Sequence, residues 1–395
     1  MQNELGFYQT NGKIYTNKIT AILDAQATLA DISWDYFDTN FKQYDWTKEP
    51  ELSIEELYKL KAQQLRAKYD YIIIMLSGGA DSTNIVRSFL RNNIHVDEIV
   101  AGAPMSGLKG WNWNSIDKRV ENTISETKFA LFPLLEEIAE KYPKVKITIN
   151  DYFEDILNFE TDKWIYDCQD WVNPAVNSRA SLDKHKHLVD LADSGKKIAV
   201  LWGIDKPVLR YAENGDIYTV INDLGVNNAH PPFQIPYPNV DRILFYWTPD
   251  FPEILIKQSH IVAKYIHKKE NFWLAEVARK FQSPRYWPTL EDKDLTDRPD
   301  YKGDYQRGIV PAIYPTTYGN VFQCQKSRAS FMPEQHHWIQ ILHKESRLCQ
   351  LLESDFKLFY TSINPKYLKP TGTGFKIFQQ VYRIGHISQF MEIEL

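Results

Sequence analysis

One short loop holds the residues of this chain whose types and spacing favour chemistry. Its sequence is Ser77-Gly78-Gly79-Ala80-Asp81-Ser82. Two adjacent glycines let a backbone approach an anion closely, and the start of a helix behind them adds N–H groups and the positive end of a dipole. The hydroxyls of Ser77 and Ser82 can donate to phosphate oxygens. Because the Asp81 carboxylate would repel a bare phosphate, the loop predicts a pyrophosphate group bound together with Mg²⁺.

The residues on both sides place this loop between a strand and a helix. Residues 71–76 form a continuous apolar run with three consecutive isoleucines, typical of a strand buried on both faces of a parallel sheet. A helix is predicted from Ser82 or Thr83 to Arg91. No GxxxxGK[ST] motif occurs, and the glycines of Gly372-Thr373-Gly374 follow no buried strand. A kinase of the P-loop class is therefore disfavoured.

Strands and helices alternate along the middle of the chain. Further strands are predicted at residues 96–101, 145–149 and 197–202, and further helices at residues 119–142 and 180–192. This alternation predicts an α/β fold with a doubly wound, mainly parallel sheet. Ligands of such sheets lie beyond the carboxyl ends of the strands.

The flanking regions differ in character from this middle part. Asn11-Gly12 and Asn214-Gly215 predict β-hairpins, and Ser53 with Glu56 predicts a capping box at the start of a helix that runs to Lys68. A Pro-rich passage occupies residues 230–238. After it, a mixed and largely helical part is predicted, with helices at residues 252–267, 271–281 and 334–349. We expect an N-terminal hairpin and helix at 1–60, the nucleotide domain at 61–230 and a substrate or lid region at 231–395.

The loop in this context resembles that of the PP-loop ATP pyrophosphatases, which have the adenine nucleotide alpha hydrolase-like fold. This superfamily includes asparagine synthetase, β-lactam synthetase, lysidine synthetase, the ATP-pyrophosphatase part of GMP synthetase, base-thiolating enzymes and phosphoadenosine phosphosulfate reductase. Residues 62–84 and 202–207 also look like the asparagine-synthase-like PP-loop proteins of bacteriophages. The superfamily resemblance covers roughly residues 60–210.

The resemblance implies a role for each matching residue. The loop residues Ser77, Gly78, Gly79, Ala80 and Ser82 would hold pyrophosphate, and Asp81 would bind magnesium. Gly203-Ile204-Asp205 is similar to the segment whose aspartate completes the metal site, although Lys206-Pro207 replaces the usual acidic continuation. Lys206 would then reach pyrophosphate oxygens as a point charge. Ala101, Gly102 and Ala103 are candidates for contact with adenine.

Other polar clusters have weaker functional interpretations. Lys326 and Arg328 follow the turn at residues 318–320, and Lys326 is a candidate catalytic cation that clamps pyrophosphate or an anionic substrate. Lys257 is a comparable candidate, and in both cases a solvated charged face is the alternative. The aromatic segment Trp111-Asn112-Trp113 either lines a substrate entrance or packs its own rings. No Cys/His spacing supports a zinc site at His185, His187, His336 or His337.

Charge, cysteine content and hydropathy indicate which partners and which cellular compartment to expect. A formal charge of −5 provides no basic field for nonspecific duplex nucleic acid. Cys168, Cys324 and Cys349 lie far apart and form no CxxC pair, which favours a reducing cytoplasm, including that of a phage-infected cell. No apolar window of eighteen residues and no signal peptide is visible, so we expect a cytoplasmic protein without membrane partners.

These features together predict an ATP-dependent adenylating enzyme. It would cleave ATP to AMP and pyrophosphate with Mg²⁺, activate a carboxylate or carbonyl oxygen, and form a C–N bond with a nitrogen nucleophile. Position 2 is Gln, so no glutaminase begins there, and free ammonia, an amino acid or a partner amidotransferase would supply the nitrogen. The activated substrate, a small metabolite or a nucleobase, stays open. Three alternative functions also stay open: a sulfur-transfer enzyme, a sulfonucleotide reductase and a noncatalytic nucleotide-binding protein.

Overall fold

The structure is a computed structural model. It describes residues 5–108, 126–153, 155, 181–204, 206–227, 229–271, 309–317 and 378–391. Among these residues, no helix has the length and apolar character needed to cross a lipid bilayer.

The first described elements form a small antiparallel sheet. Strands β1 (Phe7–Thr10) and β2 (Lys13–Tyr15) make the hairpin predicted from Asn11-Gly12, whose two residues both have positive φ angles. Strand β3 (Ile32–Asp35) pairs with the other edge of β1. Helix α1 (Lys18–Thr28) and the short helix α2 (Asp38–Phe41) lie on either side of β3 in the chain.

The long helix α3 (Ile54–Lys68) leads into the main sheet and begins as the sequence predicts. The Ser53 hydroxyl accepts from the Glu56 N–H at 3.3 Å, and the Glu56 carboxylate accepts from the Ser53 N–H at 2.8 Å. This capping box is confirmed. It satisfies two helix N–H groups that would otherwise lack partners.

The central part of the chain is an α/β unit around five parallel strands. In chain order the elements are β4 (Tyr71–Leu76), α4 (Ala80–Leu90), β5 (Glu98–Ala103), α5 (Phe132–Lys141), β6 (Lys146–Asp151), α6 (Lys186–Asp193), β7 (Ile198–Trp202), β8 (Val208–Tyr211), β9 (Asp216–Asn222), α7 (Asp223–Asn227), β10 (Val240–Leu244) and α8 (Glu253–Ile266). A π-helical turn, Thr127–Leu131, precedes α5. The expected α/β fold with a parallel sheet is confirmed.

The order of the strands fixes where a ligand can bind. The sheet runs β10-β7-β4-β5-β6, with all neighbours parallel. From β4 the chain winds outwards to β5 and β6, and it then returns to β7 on the other side of β4. The winding direction therefore reverses between β4 and β7, an order compatible with a doubly wound sheet. The crevice beyond the carboxyl ends at such a reversal is the usual ligand site.

Both faces of the sheet are covered. Ile72, Ile74 and Leu76 of β4 belong to the larger core, which α3, α4, α5 and α8 complete. Ile73 and Met75 point to a smaller core with α6. Successive side chains of β4 thus point to opposite faces of the sheet, and both faces are buried. This explains why residues 71–76 carry no polar side chain after Tyr71.

Several predicted boundaries shift by a few residues. Helix α4 begins at Ala80 and not at Ser82 or Thr83, because Gly79 already provides the extended N-cap conformation. Asp81 and Ser82 thus belong to the first helical turn. Strand β5 lies two residues later than predicted, and α6 starts at Lys186, where residues 180–192 were expected to be helical. The described part of the helix predicted at 119–142 is the π turn with α5.

The later part of the chain contains one predicted hairpin and two strands that the sequence did not predict. The hairpin at Asn214-Gly215 is confirmed as β8 and β9. Strand β11 (Gln379–His386), which was not predicted, pairs antiparallel with β9. Strand β10 comes from the segment assigned to the C-terminal region, yet it is the last strand of the parallel sheet. Helix α8 confirms the helix predicted at 252–267. The helix predicted at 334–349 and all but the first residue of that at 271–281 lie outside the described residues.

A buried ion pair joins α1 to α7. The Lys18 ammonium lies 2.7 Å from the Asp223 carboxylate, and both side chains are fully buried. The carboxylate also accepts from the Tyr8 hydroxyl at 3.0 Å and from the Phe378 N–H at 2.9 Å. Such extra hydrogen bonds offset the desolvation of a buried charge. The N-terminal sheet, α7 and the residue before β11 are thereby held together.

His230 makes the stability of the fold sensitive to acid. Burial and then the Arg242 charge lower the pKa of His230 from 6.5 to about 3. In the unfolded chain this histidine binds a proton near pH 6.5, whereas in the folded chain it does so only near pH 3. The stability that the neutral His230 side chain contributes is therefore complete above pH 6.5 and is lost as the pH falls towards 3. Between pH 7 and 5, His230→Gln should lose about 2 kcal/mol less of its free energy of unfolding than the wild type does. Urea unfolding at both pH values measures this difference, and equal losses would contradict it.

Candidate functional site

The predicted loop lies at the reversal point of the sheet. It follows β4 directly and opens α4, and Gly78 has a φ of +85°, a conformation that side chains rarely adopt. The N-cap is Gly79, and no side chain caps the helix. The first N–H groups of α4 therefore have no capping side chain at the N-cap position.

The two loop serines bond to each other and to the loop backbone. Ser77 Oγ and Ser82 Oγ are 3.2 Å apart, the Gly79 N–H donates to Ser77 Oγ at 3.3 Å, and the Ser82 hydroxyl donates to the Gly79 carbonyl at 3.3 Å. Hydroxyl hydrogen bonds are usually 2.7–2.8 Å long. These long contacts are weak, so phosphate oxygens can replace them at little cost.

Two glycines allow close backbone contacts around the loop. A Cβ on Gly78 would lie 2.6 Å from the Leu131 nitrogen, in the π turn before α5. A Cβ on Gly203, after β7, would lie 2.7 Å from the Ser82 nitrogen. Any side chain at either position would therefore push the loop away from its neighbours.

Asp81 and Lys206 form an ion pair across the crevice. The Lys206 ammonium donates to both carboxylate oxygens of Asp81, at 2.8 and 2.6 Å. Their side chains are only 16% and 17% exposed. Two residues that the sequence placed on one ligand are therefore brought into contact, although 125 positions separate them. Lys206 also lies 5.6 Å from the centre of the Tyr314 ring.

Three buried tyrosines surround this ion pair. Burial, with a contribution from the nearby Asp81 carboxylate, raises the pKa of Tyr58, Tyr246 and Tyr314 well above the usual value. The phenols are consequently neutral donors at any physiological pH. The Tyr246 hydroxyl donates to the Asp81 carbonyl at 2.7 Å, and its ring contacts those of Tyr58 and Tyr314.

A second set of hydrogen bonds fixes α4 against residues 309–317. The Asn84 amide donates to the Tyr246 hydroxyl at 3.1 Å and accepts from the Thr316 hydroxyl at 2.7 Å. Arg87 donates to the Thr316 carbonyl at 2.5 Å and pairs with Glu137 at 3.1 Å. These contacts hold the helix that carries Asp81 and Ser82.

Sequence reasoning missed Tyr58, Tyr246, Tyr314, Asn84 and Thr316. No local motif marks them, because aromatic residues at such spacings are ordinary core residues and their proximity to Asp81 arises only in the fold. Gly203, in contrast, belongs to the predicted segment Gly203-Ile204-Asp205, which directly follows the buried strand β7.

The chemistry of the loop fits a pyrophosphate with Mg²⁺. Carboxylate and hydroxyl oxygens, the ligands that Mg²⁺ prefers, are provided by Asp81 and the two serines. The backbone provides N–H groups for an anion, and Lys206 provides a cation. Within the described ranges, no group of three or more His, Cys, Asp or Glu side chains has the geometry of a protein-only metal site. The predicted second ligand, Asp205, lies outside the described residues.

The remaining candidates lie in different surroundings. Ala101 and Gly102 are near the carboxyl end of β5, where the Ala101 side chain is buried in the core. Only the backbone there is available to an adenine. Lys257 donates to the Pro50 carbonyl at 2.9 Å and pairs with Glu49 at 2.8 Å, so it ties α8 to the segment before α3.

Two of the histidines considered as zinc ligands, His185 and His187, have described positions, and each contacts a side-chain oxygen. His185 lies 3.0 Å from the Asn150 amide oxygen, and His187 lies 2.9 Å from the buried Glu98. Burial, with the neighbouring Lys184, lowers the pKa of His185. The other predicted candidates lie outside the described residues: Lys326, Arg328, His336, His337, Trp111, Asn112, Trp113, Cys168, Cys324 and Cys349.

The contact at Gly78 can be tested by substitution. Gly195 has a similar φ, +74°, but a Cβ there would meet nothing within 4 Å. Gly195→Ala should therefore cost only the backbone strain of about 1–2 kcal/mol. Gly78→Ala should cost a further 1–3 kcal/mol, roughly, because its methyl group overlaps the Leu131 backbone. Urea unfolding of both variants measures the difference, and equal losses would show that the loop is not confined by the π turn before α5.

Comparisons of the chain with protein-family models, with curated proteins and with solved structures found no match in any of the three. The functional interpretation of the loop thus depends on the residues and geometry of this chain.

Proposed function

We propose that this protein is an ATP-dependent adenylating enzyme of the PP-loop pyrophosphatase type, which forms AMP and pyrophosphate and joins an activated carboxylate or carbonyl carbon to nitrogen. The observation that carries the proposal is the position of the Ser77–Ser82 segment. It lies at the reversal of a parallel sheet, with an uncapped helix start and with Lys206 facing Asp81.

The position favours a phosphate ligand over other anions. The glycine pair lets the backbone come close to an anion, and the dipole of α4 adds partial positive charge at the same point. Two serine hydroxyls held by weak contacts supply further donors. Two linked phosphates offer enough oxygens to use all of these groups together.

The ion pair favours an exchange of partners. With Mg²⁺-bound ATP in the crevice, Lys206 would hold phosphate oxygens of the leaving group and Asp81 would hold the metal. Each charge would then exchange one partner for another, whereas deletion of either side chain removes a direct partner from a largely buried charge. The bound Mg²⁺ would supply neutralisation of charge on the triphosphate.

The chain's own residues then support the chemical step as follows. A substrate oxygen attacks the α-phosphorus of ATP, the bond from that phosphorus to the bridging oxygen breaks, and the electron pair leaves with pyrophosphate. The loop N–H groups, the serine hydroxyls and Lys206 stabilise the charge that develops on this leaving group. A nitrogen nucleophile next displaces AMP, loses a proton and forms an amide or amidine. No lysine for γ-phosphoryl transfer is needed.

A noncatalytic nucleotide-binding protein is the second candidate. The closed ion pair between Asp81 and Lys206 favours it, because a carboxylate held by an ammonium group is less available to a metal ion. Product analysis separates the two candidates: an adenylating enzyme yields AMP and pyrophosphate, a kinase or ordinary ATPase yields ADP, and a binding protein yields neither.

The Asp81 carboxylate should be required for pyrophosphate release. With Mg²⁺, ATP and a panel of carboxylates and amines, the wild type should release AMP and pyrophosphate in equal amounts. Asp81→Asn should lower the rate by about 10²–10³-fold, because the leaving group loses its metal and Lys206 loses its partner. Enzyme-coupled detection of pyrophosphate measures the rate.

Asp190→Asn is a matched control, since Asp190 is an exposed aspartate on α6. It should keep the wild-type rate within about twofold. Formation of ADP, or an Asp81→Asn variant as active as the wild type, would contradict the proposal. Nucleotide binding without products from any member of the panel would support the noncatalytic candidate.

A further inference from the structure

A second cleft, of about 830 Å³, lies beside the edge strand β10. One wall is the C-terminal half of α3, another is the Pro-rich segment at residues 231–238, and residues 248–250 close one end. None of the residues assigned to the ATP loop lines it. The volume suits a small organic molecule.

A buried ammonium group lies in this cleft. The Lys61 side chain is only 2% exposed, and its ammonium contacts Asp250 at 3.1 Å. The Asp250 side chain is 69% exposed, so its carboxylate is largely hydrated. Among the described residues Lys61 makes no other hydrogen bond, although an ammonium has three donors. Burial lowers the pKa of Lys61, and the Asp250 carboxylate opposes this shift only in part.

A buried hydroxyl without a partner lies in the same cleft. Thr248 lines the cleft and is 5% exposed, and its Oγ1 has no hydrogen-bond partner among the described residues. A buried hydroxyl left in this way costs about 1–3 kcal/mol. Rotation about χ1 to another staggered rotamer would turn the hydroxyl towards the cleft, where a ligand acceptor would relieve this cost.

The charges and walls of the cleft indicate the ligand class. Three cations line it, Lys61, Lys68 and Arg242, against two anions, Asp241 and Asp250, which leaves one positive charge. A monoanion balances this charge, whereas a phosphate dianion exceeds it. Aromatic and proline side chains form much of the rest of the wall: Tyr36, Phe37, Tyr69, Phe233, Tyr237 and the prolines of residues 231–238. Such walls favour a flat apolar body.

We propose that this cleft binds a small organic monocarboxylate with a planar apolar body, whose carboxylate accepts from Lys61 and Thr248. This site is separate from the ATP loop and does not require the proposed adenylation. The two sites are neighbours, since Tyr58 lies one helical turn before Lys61 on α3 and its ring contacts Tyr246 beside Asp81.

Isothermal titration calorimetry with benzoate tests the proposal, and benzamide serves as the neutral probe of equal shape. Benzoate should bind the wild type saturably, and benzamide should bind at least about tenfold more weakly, because it lacks the charge that Lys61 recognises. Lys61→Met should weaken benzoate binding by at least about tenfold. Thr248→Val, which removes only the hydroxyl, should weaken it by about threefold to tenfold.

The matched control is Lys59→Met, which removes an exposed lysine of the same helix outside the cleft. It should bind benzoate like the wild type. Equal affinities for benzoate and benzamide, or unchanged benzoate binding by Thr248→Val, would overturn the proposal even if Lys61→Met does not fold. Asp81→Asn should bind benzoate normally, so failure of the ATP proposal is distinguishable from failure of this one.

Discussion

Gly203 and the first turn of α4 are in backbone contact, and the candidate site depends on that contact. Strands β4 and β7 pair in parallel, with Ile74 opposite Leu201, so their carboxyl ends lie side by side. The absence of a side chain at Gly203 then lets the segment after β7 touch the Ser82 nitrogen. Only this approach brings Lys206 to Asp81.

The surroundings of the ion pair limit how it can change. Three neutral phenols and the core of the sheet exclude most water from it, and an ion pair in such a medium is stronger than one at the surface. A ligand that opens the pair must provide a new partner for each charge. Magnesium pyrophosphate, the ligand in the proposed function, would present a cation and oxygen anions together and so meet this requirement. Under that proposal, the environment that holds the ion pair closed would also favour this kind of ligand.

The sequence predicted those parts of the structure that local patterns determine. The isoleucine run of β4, the capping box at Ser53 and the two Asn-Gly hairpins each have their cause within a few residues. Helix α4 begins earlier than predicted, because Gly79 is its N-cap. The preference of glycine for that position is a weaker signal than the hydrophobic pattern from which the helix start was predicted. The sequence therefore did not predict that Asp81 lies in the first turn of α4, although it did predict that Asp81 lies between β4 and this helix.

Contacts between distant segments could not be predicted in this way. The pairing of Asp81 with Lys206, the packing of Tyr314 beside them and the addition of β11 to β9 join residues that no local period relates. The cleft at Lys61 was missed for the same reason, since a lysine on a helix is normally solvated and its burial depends on Asp250 and Phe251. Each of these features follows from the order of the strands, which composition and periodicity leave undetermined.

A crystal structure with Mg²⁺ and α,β-methylene ATP, whose α–β bridge cannot be cleaved, would show whether the loop holds two linked phosphates. We expect the β- and γ-phosphates within hydrogen-bond distance of the Gly78 and Gly79 nitrogens, the metal on Asp81, and Lys206 moved from Asp81 to a phosphate oxygen. A nucleotide bound elsewhere, or an intact contact between Asp81 and Lys206 with the nucleotide present, would contradict the proposed site.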